Sequence, residues 1–284
     1  MQVISVVIPT FNSNRFIGPC LDSLFAQDYR GLEAIVVDNN SQDDTAALVR
    51  KNYPMVNLIQ NKHNLGPCKA RNQGIGRASG DWILTLDCDT VLDKNFISRI
   101  QEAIRDLPAR VGMIQPKILQ AGGKTIYSCG ISLSFLRRFY DINRDKADDG
   151  EFNKPKYIFG ACSAAAIYRM RMLQELKEDT GYFDERFFFL AEDVDLSWRA
   201  KNQGWKALFC PQAVCSHYGD SSGFDKKLRQ YLCWRNRYYT IIKNEGWMMY
   251  SARIIPLLFY DLPRLAYLVF TNKYAYKRPD MIFG

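Results

Sequence analysis

Five short apolar runs rich in Val and Ile recur across the first 115 residues, at 3–8, 34–37, 56–59, 82–86 and 111–114. Runs of this length and continuity read as strands buried on both faces. The intervening stretches 15–26, 43–51, 67–78 and 95–106 are amphipathic and read as helices. Such β-α-β-α alternation dictates an α/β fold, with a mostly parallel central sheet, right-handed crossovers and flanking helices. Ligands bind such sheets beyond the carboxyl ends of the strands, where the strand order reverses. Those ends are Pro9-Thr10, Asp38-Asn39-Asn40 and Asp87-Cys88-Asp89, so polar groups collect where a site is expected.

Further along, the periodicity weakens. Residues 121–156 mix Gly with both signs of charge and read as an irregular excursion. The small-residue run 160–166 leads into a helix expected at 171–177. Glu192 opens a helix that runs to Asn202, with Gly204 at its C′ position and a strand at 206–210.

The net charge of +8 is unevenly placed. Residues 226–284 carry 11 basic and three acidic side chains, whereas the rest of the chain carries 27 of each sign. The same segment holds 13 aromatic residues, a composition that suits the interface of an anionic membrane. The competing reading is a helical segment that packs its aromatic face on the body. The stretch 254–270 is too short to span a bilayer and is interrupted by Pro256, Asp261, Pro263 and Arg264. These features divide the chain into a body at 1–220 and a helical, basic and aromatic segment at 221–284. Eight scattered cysteines without a CxxC pair argue against a disulfide framework or a zinc site. The N-terminus lacks a basic n-region and a small-residue cleavage site, so a cytoplasmic protein is expected, peripheral at the inner membrane face.

The strongest local motif is Leu84-Thr-Leu-Asp87-Cys-Asp89, two carboxylates leaving the end of an apolar strand. Carboxylates there can hold a hard divalent cation that also binds diphosphate oxygens, although two solvated turn residues would read the same. Asp38, in Val36-Val-Asp-Asn-Asn-Ser41, can accept from a nucleobase N–H or a ribose hydroxyl. Its alternative is to cap the next helix, a task open also to Ser41 or Asp43. Asn64-Leu-Gly-Pro-Cys-Lys-Ala-Arg71-Asn72 places a basic side chain early in a helix entered through Gly66-Pro67, which suits a phosphate, although a solvated surface Arg71 would read the same. Together the three clusters fit a nucleotide diphosphate.

Val6-Val-Ile-Pro-Thr10, Val37-Asp-Asn-Asn-Ser41, Asn64-Leu-Gly66 with Ala70-Arg-Asn72, Asp87-Cys-Asp89, and Glu192-Asp193 with Asp195-Leu form an ordered set. In it the chain resembles glycosyltransferase family 2, inverting enzymes of the Rossmann-like GT-A fold that use nucleotide sugars. Gly160-Ala-Cys, Gly181-Tyr-Phe-Asp-Glu-Arg-Phe187 and Glu192-Asp-Val-Asp195 bring it nearest to rhamnosyltransferases and to O-antigen or cell-wall glycan transferases. The resemblance implies nucleotide contacts at Thr10, Asp38, Asn40, Arg71 and Asp87. It implies Mn²⁺ or Mg²⁺ on Asp89, assisted by Asp87, and a general base from the acidic pair, usually the second member, here Asp193. Successive helical residues point about 100° apart, so Glu192 is expected to orient the acceptor or a neighbouring side chain instead. The alternative for Asp193 is a helix-start carboxylate favourable to the dipole. His217 is open to two readings, metal or diphosphate ligand as in many GT-A enzymes, or an ordinary surface or core histidine. Where processive members carry QxxRW, this chain has Gln230-Tyr-Leu-Cys-Trp234, which argues against a processive synthase.

The activity so implied is transfer of one sugar from a UDP- or dTDP-sugar to a hydroxyl of a glycan, one carried on a membrane lipid. A dinucleotide oxidoreductase is disfavoured because Pro9-Thr-Phe-Asn-Ser13 replaces GxGxxG after the first strand. No nucleic-acid partner is expected, since carboxylates at the strand ends would repel a phosphate backbone. A catalytically silent homologue that binds a partner is the remaining alternative.

Overall fold

The computed structural model describes residues 2–219, 223, 225–246 and 254–276. The expected alternation is realised as β1 (Ile4–Thr10), α1 (Asn14–Phe25), β2 (Leu32–Asp38), α2 (Thr45–Asn52), β3 (Asn57–Gln60), α3 (Gly66–Arg77) and β4 (Trp82–Leu86). There follow β5 (Thr90–Leu92), α4 (Phe96–Arg105), β6 (Val111–Gln120), β7 (Ile126–Ser128), β8 (Ile131–Leu133), β9 (Phe139–Asp141), β10 (Lys156–Ile158), β11 (Ala165–Arg169) and α5 (Met170–Glu175). The described chain closes with α6 (Glu192–Asn202), β12 (Lys206–His217), α7 (Lys226–Asn244) and α8 (Ile254–Thr271).

A ten-stranded sheet runs β10-β12-β6-β11-β4-β1-β2-β3, with β5 paired to β12 and β7 to β6. Strands β4, β1, β2 and β3 pair in parallel, as do β6 and β12. Between the two parallel groups lies β11, antiparallel to both β4 and β6. The two parallel groups therefore point the same way, and the order reverses at β1, which has β2 on one side and β4 on the other. A crevice opens there at the carboxyl ends.

Alternation along the strands sorts the core into two layers. Val6 and Ile8 of β1 share one apolar cluster with Ile17, Leu21 and Leu24 of α1 and Phe96 and Ile100 of α4. Val7 faces the opposite layer, with Cys68 and Ile75 of α3 and Leu196 and Ala200 of α6. Helix α3 approaches β1 so closely that a Cβ on Gly74 would lie 2.3 Å from a Val7 methyl.

Four sequence expectations need correction. Strand β3 is an edge strand with exposed ends, not a buried one. The excursion at 121–156 contains β7 and a small hairpin of β8 and β9. Part of the small-residue run belongs to strand β11, because Ala165 and Ala166 fit against β4; the helix expected at 171–177 follows as α5, Met170–Glu175. Strand β12 continues past Cys210 to His217. Pro211 interrupts the ladder, but a bulge between Cys210 and Val214 restores pairing beyond it.

Of the C-terminal segment, residues 221, 222, 224, 247–253 and 277–284 lie outside the described residues. Helix α7 buries Leu228, Leu232, Asn236, Arg237, Thr240 and Ile241. Its Lys243 ammonium reaches Glu178 at 2.6 Å, Asp184 at 2.8 Å and Asp195 at 3.1 Å. Burial opposes ionisation of Asp184, yet bonds from Arg186 and Lys243 hold its carboxyl well below the usual range. Arg237 pairs with Asp261 of α8 at 2.8 Å. The outer face of α8 leaves Phe259 82% and Phe270 85% exposed, with Leu262 and Tyr267 between them. Among the described residues no helix is long and apolar enough to cross a membrane.

Gly74→Ala should destabilise the fold by about 1–3 kcal/mol through overpacking against Val7, read as a lowered denaturation midpoint. Asp184 contributes stability above its unfolded-state pKa, and this is lost as pH falls through the lower, folded one. Lys243→Met should flatten that acid-side loss in urea titrations at several pH values. An unchanged slope would remove the ion network from the balance.

Candidate active site

Three strand ends and one helix start surround a cavity of about 570 Å³. Parallel register sets Thr10 of β1 beside Asp38 of β2. Thr10 and Asn39 line the cavity, whereas Asp38 and Asn40 are not among its lining residues. The Asp38 carboxylate is buried and accepts from Ser41 N at 3.2 Å and Ser41 Oγ at 2.5 Å. It thus braces the turn in which Asn40 takes φ 65°. Asp44 is the N-cap residue of α2, and the Thr45 N–H is met instead by the carboxylate of Asp43 at 3.0 Å.

After β4 the chain turns sharply, with Thr90 N donating to Asp87 O at 3.0 Å. It then forms β5, which pairs Thr90 with His217 at the end of β12. That pairing brings the two acids against the imidazole: His217 Nε2 lies 3.0 Å from Asp89 and 3.7 Å from Asp87. The edge of the Tyr127 ring packs on His217 at 4.5 Å between centroids. Asp89 also accepts from Gly219 N at 3.1 Å. Burial lowers the His217 pKa, but the bond and charge of Asp89 outweigh it, so the net shift is upward. Asp87, Asp89 and His217 each offer one ligand atom within 4.8 Å of the others. Carboxylate oxygens suit a hard divalent cation, and His217 turns Nε2 toward both of them, where it can add a nitrogen ligand. The residues fit a divalent cation.

Arg71 of α3 ties this wall to the next. Its guanidinium is buried and donates to Asp87 at 2.7 Å and to Glu192 at 2.6 Å. Burial alone would lower its pKa, but the charges of Asp87 and Glu192 raise it instead. Glu192 and Asp193 diverge at the start of α6, as helical geometry requires. Glu192 turns to Arg71, and Asp193 accepts from Ser163 N at 3.1 Å at the cavity wall. Asp193 lies deep among protein atoms with one side open to the cavity. Burial, and then the Glu192 charge, push its carboxyl up to about 7.

The loop before α6 is held in an unfavourable backbone conformation. Phe188, Leu190 and Ala191 take φ of 62°, 72° and 65°, where non-glycine residues are strained by on the order of 1–3 kcal/mol each. Asn72 stabilises the upstream part, donating to Thr180 O at 3.2 Å and Phe183 O at 2.8 Å while accepting from Tyr182 N and Phe183 N. Sequence reasoning quoted Asn72 only as part of a motif. Asn39 entered only as one of the polar strand-end residues, and Tyr127 and Ser163 carry no local signal, because their place at the site follows from tertiary packing.

Comparison with known proteins bears on the family and the fold. A family model described as glycosyl transferase family 2 matches residues 5–177. An N-acetylglucosaminyltransferase of Mesorhizobium japonicum is 29% identical over 245 residues, 81% of this chain and 54% of that protein. A poly-beta-1,6-N-acetyl-D-glucosamine synthase of Staphylococcus aureus is 24% identical over 76% of this chain and 50% of its own length. The chain thus spans about half the length of these curated relatives. Among solved structures, S. aureus TarS residues 1–349 with UDP superposes at a TM-score of 0.57, with 21% identity over 86% of this chain and 67% of that one. A Pyrobaculum calidifontis mannosyltransferase in complex with GDP-Man and Mn²⁺ superposes at 0.61, with 18% identity over 96% and 72%. The architecture is the GT-A fold that the sequence implied, and with its matched region covering more than half of its length, the chain belongs to glycosyl transferase family 2.

Proposed function

We propose that this protein transfers one sugar from a nucleotide-diphosphate sugar, with uridine or thymidine as the base, to an acceptor hydroxyl, inverting the anomeric carbon. The observation that carries this reading is that one cavity holds a cation-type cluster, Asp87, Asp89 and His217, together with a separate carboxylate whose pKa lies near neutrality. Thr10 and Asn39 form the nucleoside end, with Asp38 and Asn40 shaping the turn beneath them. Arg71 adds positive charge toward the diphosphate while fixing Asp87 and Glu192. Asp89 and His217, with Asp87, would hold Mn²⁺ or Mg²⁺, which when bound stabilises the charge of a departing diphosphate. Asp193 takes the acceptor proton as the acceptor oxygen forms its bond to the anomeric carbon from the face opposite the leaving group. The structures of TarS with UDP-GlcNAc and of the mannosyltransferase with GDP-Man and Mn²⁺ lend support by analogy.

The acceptor belongs to a glycan carried on a lipid at an anionic membrane face. This rests on the basic segment 226–284 and on the exposed apolar stripe of α8. A Methanococcus voltae relative whose name specifies a dolichyl-phosphate-linked acceptor, 26% identical over 78% of this chain, supports it. In this reading residues 1–220 together with α7 form the transferase unit, and α8 is the membrane-facing element.

Asp193→Asn should lower turnover by about 10²- to 10⁴-fold and leave calorimetric nucleotide affinity nearly intact. Normal turnover would remove Asp193 from the role of base. In the parent protein, turnover should fall as pH drops below about 7, because the protonated carboxyl cannot accept a proton. Asp89→Ala should abolish the gain in UDP affinity that Mn²⁺ confers, measured by titration with and without the ion. In sedimentation at low salt, the protein should pellet with anionic vesicles more than with neutral ones. Equal pelleting would refute the membrane assignment.

A further inference from the structure

The loop that presents the acid pair has a second support, in a helix distant in sequence. Asn236 of α7 is fully buried. Its side-chain amide donates to Phe187 O at 3.2 Å, Phe189 O at 2.8 Å and Leu190 O at 2.7 Å. Its own oxygen accepts from Arg235 Nε at 2.8 Å, which fixes which end of the amide faces the loop. Arg235 in turn donates to Arg186 O at 3.1 Å and Phe187 O at 2.9 Å. Five bonds from two adjacent residues of α7 thus converge on carbonyls of 186–190. This is the stretch whose positive φ angles at Phe188, Leu190 and Ala191 lead directly into Glu192 and Asp193.

We propose that Asn236 is a positioning residue for the transfer reaction, holding the strained 187–191 turn so that Asp193 faces the cavity. The inference rests on the transfer reading above, with Asp193 as base. A strained turn relaxes unless its surroundings over-determine it, and here the restraint is a set of carbonyl acceptors whose donors come from α7. An amide is the side chain suited to this place. It supplies two N–H donors to neighbouring carbonyls, and it presents one acceptor to the guanidinium behind it. Aspartate has the same shape but would turn an acceptor toward three carbonyls. The α7 helix therefore contributes to the geometry of the base without Asn236 touching a substrate.

The test compares Asn236→Asp and Asn236→Ala with the parent protein in two measurements. One is backbone hydrogen exchange; the other is kinetics beside calorimetric UDP affinity in Mn²⁺. Both variants should exchange faster across 187–195, with β1 and β4 unchanged. Turnover should fall roughly 10- to 100-fold, as misplacement of a reacting group predicts, while UDP affinity stays within about twofold. Unchanged exchange at 187–195, unchanged turnover, or faster exchange spread equally over β1 and β4 would each overturn the assignment. If the parent protein transferred no sugar from any nucleotide sugar, the transfer reading would fail. The exchange measurement would still decide whether Asn236 holds the turn.

Discussion

The buried guanidinium of Arg71 is the interaction on which the site depends. Removing such a group from water costs several kcal/mol, and only close, well-directed partners compensate. Arg71 has two, Asp87 from the end of β4 and Glu192 from the start of α6, at 2.7 and 2.6 Å. These carboxylates stand 105 positions apart in the sequence, and like charges brought to one cavity would repel without a cation between them. Loss of Arg71 would leave the buried Glu192 carboxylate without its ion partner. The ion triad thus fixes the distance between the wall that suits a divalent ion and the wall that carries Asp193. It also sets the electrostatics, since Glu192 raises the pKa of Asp193 and Arg71 moderates that rise.

The other supports share a logic, in which side chains from stable helices restrain a loop that would not hold its own conformation. Asn72 of α3 closes the segment around 180–183, and α7 secures the carbonyls beyond it. The left-handed turn at Ala191 allows α6 to begin with Glu192 and Asp193 pointing to different partners. Backbone strain is concentrated where the chemistry is placed, and hydrogen bonds from α3 and α7 maintain it.

Much of the parallel sheet was legible from apolar periodicity, because β1, β2 and β4 are buried on both faces and carry few polar residues. The antiparallel insertion of β11 was not, since a run of Gly, Ala, Cys and Ser has no period to read. The length of β12 was hidden by Pro211, which ends a strand by local rules but here sits in a bulge. For the site, the acidic strand ends and the divergence of Glu192 from Asp193 followed from position and helical geometry. Proximity of His217 to Asp89 depended on the pairing of β5 with β12, a contact between residues 90 and 217 with no local signature. Asp38 was read as a nucleoside acceptor or a helix cap, and its carboxylate here accepts from Ser41 and Gln60. Its acceptor capacity was evident in the sequence, and its hydrogen-bond partners came from the fold.

The central claim is that one crevice sets a nucleotide and its cation against a base on the opposite wall. A crystal structure with UDP and Mn²⁺ bound tests it most directly. The account predicts the ion on Asp89 and a diphosphate oxygen, the nucleoside against Thr10 and Asn39, and Asp193 uncoordinated across the cavity. An ion held by Asp193, or a nucleotide bound away from the ends of β1 and β4, would contradict it.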